Sequence, residues 1–157
     1  MVDFASALDT KANDVEKPPV QPQGTYIWTV TKVPSISTSK SGEWSIVEFP
    51  IKAVSAEDDV DPEELEEFGS LNGAMNRISF MAPTADTPEA EADRTKALYR
   101  IKKFCQNTLR VDAEEDASIR ELLDAAVNCQ FMAQATWRPS DDGEETYIDV
   151  KGYAPVD

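Results

Sequence analysis

Residues 87–111 read TPEAEADRTKALYRIKKFCQNTLRV, and the arrangement of the rest of the chain follows from this stretch. Thr87 followed by Pro88 is an N-cap with proline at the first helical position. Glu89, Glu91 and Asp93 load the first turn with negative charge, where the helix dipole favours it. From Arg94 to Val111 there is no acidic residue, yet Arg94, Lys96, Arg100, Lys102, Lys103 and Arg110 all fall there. Leu98, Ile101, Cys105 and Thr108 recur at helical spacing with Ala97 and Phe104 beside them, which predicts one side facing a core. On the other side Lys96, Arg100, Lys103, Asn107 and Arg110 step by four, three, four and three, and so form a single polar, mostly basic stripe.

The stripe stands out because the chain around it is acidic. In 157 residues there are 30 acidic side chains against 15 basic ones, a formal charge of −15. Taken as a whole, that charge argues against a polyanionic partner. The acids are concentrated, however: one block runs from Glu57 to Glu67, a second covers Asp112, Glu114, Glu115 and Asp116, and a third covers Asp141, Asp142, Glu144 and Glu145. All three fall where loops or a short helix are expected, and they read as solvated segments. With 41% hydrophobic residues the chain holds enough apolar material for one domain with a proper core.

Several chemistries drop out. There is no histidine, which removes His-based triads, His general bases and most zinc sites. No Gly-rich phosphate loop, Cys-x-x-Cys pair or serine elbow is present. Asp58-Asp59-Val60-Asp61 resembles the start of a calcium loop but lacks the glycine and terminal glutamate of an EF-hand. No metal, no cofactor and no enzymatic activity are expected. Cys105 on the core side of the helix and Cys129 at the start of a strand read as reduced thiols of a cytosolic protein, a disulfide between them being the alternative. No secretory signal and no membrane span are expected.

Taken in order, residues 1–23 form an N-terminal arm, with a short apolar patch at Phe4, Ala5, Ala7 and Leu8 and an extended, proline-marked entry at Pro18, Pro19 and Pro22. The patch reads either as a loose tail or as a docking peptide for another subunit. Residues 24–157 form the domain. Strands are predicted at Thr25–Val33, Trp44–Val54, Asn76–Met81, Gln130–Trp137 and Thr146–Tyr153, with a loop at Ser35–Gly42 and a hairpin turn at Asp142-Gly143. Pro50 points to a bulge or an edge in the second strand. Short helices are predicted at Asp61–Phe68 and Ser118–Ala126. Three strands, a main helix, then a two-stranded hairpin is the order of an α+β, mainly β domain: a five-stranded OB-like barrel, β-β-β-α-β-β, with the main helix between strands three and four. Leu98, Ile101 and Cys105 would plug one end of that barrel, leaving Lys96, Arg100 and Lys103 outside.

The runs Gly24-Thr-Tyr-Ile-Trp-Thr-Val-Thr-Lys-Val33, Ser37-Thr-Ser-Lys-Ser-Gly-Glu-Trp44 and Ile46-Val-Glu-Phe49 resemble the opening of a family of small bacteriophage proteins. Leu98-Tyr-Arg-Ile-Lys-Lys-Phe104 and Val150-Lys-Gly-Tyr-Ala-Pro155 are similar to its helix and its close. The resemblance covers roughly residues 22–155. It implies an OB-type single-stranded DNA-binding protein of phage replication or recombination, working in the cytoplasm of an infected host cell. Many phage proteins of this kind close on a long acidic tail. This sequence closes on Val156-Asp157, so the acidic block at 57–67 would stand in for that tail or the feature would be missing.

Sequence-tolerant binding of single strands needs a cationic track for phosphates and aromatic faces for stacking. On the strands or at their ends lie Tyr26, Trp28, Trp44, Trp137, Tyr147 and Tyr153; on strand faces or adjoining loops lie Lys32, Lys40, Arg77, Arg138 and Lys151. Tyr26, Trp28 and Lys32 share one strand face, as do Tyr147, Lys151 and Tyr153. The alternative for each ring is packing inside the barrel. The stripe of Lys96, Arg100 and Lys103 reads as a polynucleotide track, a dock for an acidic block on a neighbouring subunit, or an ordinary solvated face. The expected partner is single-stranded DNA, with replication or recombination proteins reached through the acidic segments and a homo-oligomer allowed. The rival reading is an acidic protein-interaction or virion component that uses the same barrel as a scaffold.

Overall fold

The computed structural model describes residues 3–156. A short helix α1 (Phe4–Ala7), capped by Asp3, and a 3₁₀ turn (Ala12–Asp14) lie in an exposed arm. Packing begins at Gln21 and Pro22, both buried, just before β1 (Gly24–Val30). Gly24 is required there. Its φ is +140°, and a Cβ on it would come within 2.6 Å of Val60 Cγ2 and 3.2 Å of Val60 Cα.

After β1 come β2 (Ser35–Thr38), β3 (Trp44–Ala56), α2 (Pro62–Phe68), β4 (Met75–Pro83), α3 (Pro88–Lys103), α4 (Ile119–Ala125), β5 (Gln130–Pro139) and β6 (Thr146–Pro155). The strands make one six-stranded antiparallel sheet in the order β2-β3-β1-β5-β6, and β4 pairs with β3. Six strands form where five were expected, because Ser35–Thr38, expected as loop, adds on to β3 opposite Ser45–Glu48. The thirteen-residue β3 is the spine: Lys52–Ala56 and Ile51 hold β1, while Trp44–Lys52 hold β4. β1 ends at Val30, earlier than the expected Val33, where its backbone turns off and Thr31 bonds to the Pro50 carbonyl. Pro50 itself lies where β1 leaves β3, as a residue without an N–H should.

The sheet is open. Among the described residues no strand pairing joins β4 to β6; a single side-chain bond crosses there, from Asn76 Nδ2 to the Ile148 carbonyl at 2.8 Å. The core lies on the inner face, built from Tyr26, Trp28, Val30, Phe49, Ile51, Ile78, Phe131, Ala133 and Ala135, and it is closed by Ile101, Phe104, Cys105, Leu122 and Leu123.

The main helix follows its expected start and departs from its expected end. Thr87 Oγ1 accepts from Ala90 N, and the α-helix runs to Lys103; then a π-helical turn, Phe104–Thr108, takes over. The wider turn lets two consecutive side chains, Phe104 and Cys105, both face the core. Phe104 is the hub of an aromatic cluster, with ring centroids 5.1 Å from Phe49, 5.5 Å from Phe131 and 5.4 Å from Tyr153. Leu98 is a correction: expected as part of the plug, it is 48% exposed, because Ala97, Ile101 and Phe104 already define the buried line and Leu98 falls to its flank. Both cysteines are unbonded.

Candidate nucleic-acid interface

The rings and cations singled out on the strands do not converge. Tyr26 and Trp28 are corrections: both are fully buried, edge to face with centroids 5.8 Å apart. The β-strand alternation that put them on one face put that face inward. Tyr26 Oη donates to the Pro22 carbonyl at 2.6 Å and Trp28 Nε1 to the Ala133 carbonyl at 3.1 Å, so each polar tip is satisfied within the core. Burial pushes the Tyr26 phenol up to about 12, with the Gln21 side chain pulling the other way. Lys32 is exposed beyond the end of β1 and shares no face with them.

The remaining strand residues are on the surface, and only Arg138 and Tyr147 among them are shown in contact. Trp137 bonds the Gln21 carbonyl through Nε1 and shares a shallow pocket with Pro19, Val20, Glu64 and Glu67, an acidic surrounding. Arg138 lies 4.9 Å over the Tyr147 ring and is paired with Asp149 at 3.0 Å, which neutralises that patch. Arg77 is within 3.7 Å of Glu48. Lys40 sits in an exposed turn whose neighbours Gly42 and Glu43 accept from Thr84, at the far end of α3 from its basic stripe. Trp44 and Lys151 are exposed at separate strand positions, opposite Pro83 and Gln134.

What does converge is the basic stripe of α3 with Tyr153. At the open seam between β4 and β6 an open cleft of about 420 Å³ is lined by Phe80 of β4, Tyr153 of β6, and Tyr99, Arg100, Lys103, Phe104, Asn107 and Thr108 of the helix and its π turn. Tyr153 packs edge-on against Phe104 and Phe131 while its ring stays 41% exposed. Its hydroxyl donates to the Val150 carbonyl at 3.2 Å, and partial burial raises its pKa. Tyr99 is 55% exposed on the rim, with Lys103 Nζ 5.3 Å from its ring centre.

The charge around the cleft is one-sided. Among the described residues no carboxylate lines it, and Lys96, Arg100 and Lys103 have no acidic partner within 4.0 Å. Lys96 extends the stripe one turn back along α3. The cleft thus offers aromatic faces, two guanidinium or ammonium groups, and the amide and hydroxyl of Asn107 and Thr108. No group of three His, Cys, Asp or Glu side chains among the described residues is placed to hold a metal ion.

Of the sequence candidates, Arg100, Lys103 and Tyr153 are therefore brought together, with Lys96 adjoining. Tyr99 and Phe80 were missed as site residues. The signal for Tyr99 was present, since it precedes Lys103 by four positions, one helical turn. Phe80 carried none, because only the open seam leaves its ring half-buried. No family model matches this chain, and no curated protein matches it.

Proposed function

We propose that this protein binds single-stranded DNA without catalysing a reaction, coating or protecting strands in bacteriophage replication or recombination. The cleft carries the reading: in a chain of charge −15, Arg100 and Lys103, which among the described residues have no acidic partner within 4.0 Å, stand beside exposed tyrosine rings. An unpaired base offers a flat face to Tyr99 or Tyr153, and the adjoining phosphates meet Arg100, Lys103 and then Lys96 along the helix. Paired bases keep their faces to themselves, so the site favours single strands over duplex. The sheet is read as an OB-like barrel that stops short of closure, with the end of α3 and its π turn beside the seam. The resemblance of residues 22–155 to phage proteins of this kind supports the reading from the sequence side.

Fluorescence anisotropy of a labelled oligo-dT, titrated with protein at low and high salt, tests it. Binding at low salt that weakens with salt, is competed poorly by duplex, and is lost in Arg100→Glu/Lys103→Glu supports the proposal. No binding at low salt, or binding indifferent to that charge reversal, sinks it and leaves the interaction or virion scaffold. Tyr99→Ala is expected to weaken binding by about 1–3 kcal/mol.

A further inference from the structure

We propose, resting on the reading of the cleft as a DNA site, that Arg110 is a further phosphate-binding residue, set at the end of the cleft and kept in a strained backbone for that contact. Arg110 is a residue out of place. Its φ is +52°, in the left-handed region. Every other described residue with positive φ is a glycine or Asn128, the types that enter this region at least cost. In an arginine the Cβ crowds the following carbonyl oxygen there.

The fold needs the conformation but not the arginine. The left-handed step ends the helical run, and Val111 N–H closes it by donating to the Cys105 carbonyl at 3.0 Å. Glycine closes helices in the same way and is the residue usually found at such a position. Arg110 makes no ion pair within 4.0 Å among the described residues, although Asp112, Glu114, Glu115 and Asp116 all follow within six residues. A cation to complement the helix dipole is not lacking either, since Arg100, Lys102 and Lys103 already occupy the last turn of α3.

What the arginine adds is position. Leu109 is buried and Val111 packs against the core, so the exposed Arg110 between them is turned to solvent. Thr108, two residues before it, lines the cleft, which keeps the two Cα atoms within about 7.6 Å of each other. In chain order Arg100, Lys103 and Asn107 line the cleft, and Arg110 is the last cation before the acidic segment. A guanidinium with no carboxylate partner can grip two phosphate oxygens at once, which an ammonium group cannot.

Oligo-dT anisotropy and thermal melts on variants of the full chain test this. Arg110→Ala and Arg110→Gly should each weaken binding by about fivefold near 0.1 M salt and lower the log–log salt slope by about 0.7, the share of one phosphate contact on a single strand. Arg110→Lys should recover the slope and part of the affinity. Arg120→Ala, the same charge change at an exposed position of α4, should leave the slope unchanged. The two neutral variants should part in stability. R110G should melt about 2–4 °C above R110A and no lower than the wild type, because glycine relieves a strain that alanine keeps. The steadier protein is then the weaker binder.

Wild-type binding by R110A and R110G, with Arg100→Glu/Lys103→Glu still abolishing it, would overturn the proposal and leave the DNA reading standing. An equal loss of slope in R120A would overturn it by making net charge the cause. An R110G that melts below the wild type would do so by assigning the arginine to its own acidic loop. A wild type that binds no oligo-dT at low salt removes the DNA reading and this proposal with it.

Discussion

Tyr99 and Tyr153 share a cleft but differ in what holds them. Tyr99 is 55% exposed, so Tyr99→Ala should weaken the proposed DNA binding while leaving the melting temperature nearly unchanged. Tyr153 packs on Phe104 and Phe131. Tyr153→Ala should therefore lose stability too, by about 2 kcal/mol, less than the ~3–5 of a fully buried aromatic; thermal melts and anisotropy separate the two effects. Tyr26→Phe removes the bond to the buried Pro22 carbonyl and should cost about 1–3 kcal/mol in urea unfolding. Asp59 accepts from the Thr25 backbone N–H at 2.9 Å and from Thr25 Oγ1 at 2.8 Å, which holds its carboxyl below the ordinary 3.8. Its stabilisation is complete above that value and disappears as pH falls through the lower folded pKa. Because Asp59 is exposed the effect is small, and in Asp59→Asn the corresponding part of the acid slope should be missing from a stability–pH series. Burial pushes the Cys105 thiol up to about 12. Iodoacetamide at mildly alkaline pH should thus modify Cys105 only after denaturation, as read by mass spectrometry.

At the scale of elements, helix starts were legible and helix ends were not. Thr87-Pro88 makes the predicted cap, Asp61 caps α2 ahead of Pro62, and at the start of α4 the structure adds a reciprocal capping box between Ser118 and Glu121. A cap is local chemistry within four residues, so sequence suffices to find it. Ser118→Ala should cost about 1 kcal/mol by the same logic, measured by denaturant titration. The end of α3 depends instead on what Phe104 and Cys105 meet across the core. Helical periodicity places Leu98 on the buried side, but the π turn and the small Ala97 shift the buried line past it, and Leu98 becomes surface. Tyr26 and Trp28 teach the same lesson for strands. Alternation identifies the two faces correctly, yet which face turns inward is decided by the elements that cover it.

For the whole molecule, charge placement matters more than total charge. A net charge of −15 repels polyanions at a distance, so the proposed DNA binding would rest on the local track of Lys96, Arg100 and Lys103. Neutralising about three phosphates gives a log–log salt slope of about −2 for a single strand. Lys96→Gln, which removes one contact, should lower that slope by about 0.7, which oligo-dT titrations at several salt concentrations would read directly. Loss of Asn76→Ile148 bonding in Asn76→Ala should loosen the seam next to the cleft. Amide exchange along β6 should then speed up more than along β1, which is paired on both sides.

The sequence by itself determined the order of the helices and of every strand but β2, the cap of α3, and the segregation of acids into loops and a short helix and of cations onto one helix. These are properties of neighbouring residues and of fixed periods, and they need no knowledge of the partner surface. Only the tertiary structure decided that the sheet stays open, that β1 presents its aromatic face to the core, and that Tyr153 meets Arg100 and Lys103 at the seam. Those outcomes come from pairing over long sequence separations, where free energy depends on which faces bury each other and no local pattern records the choice.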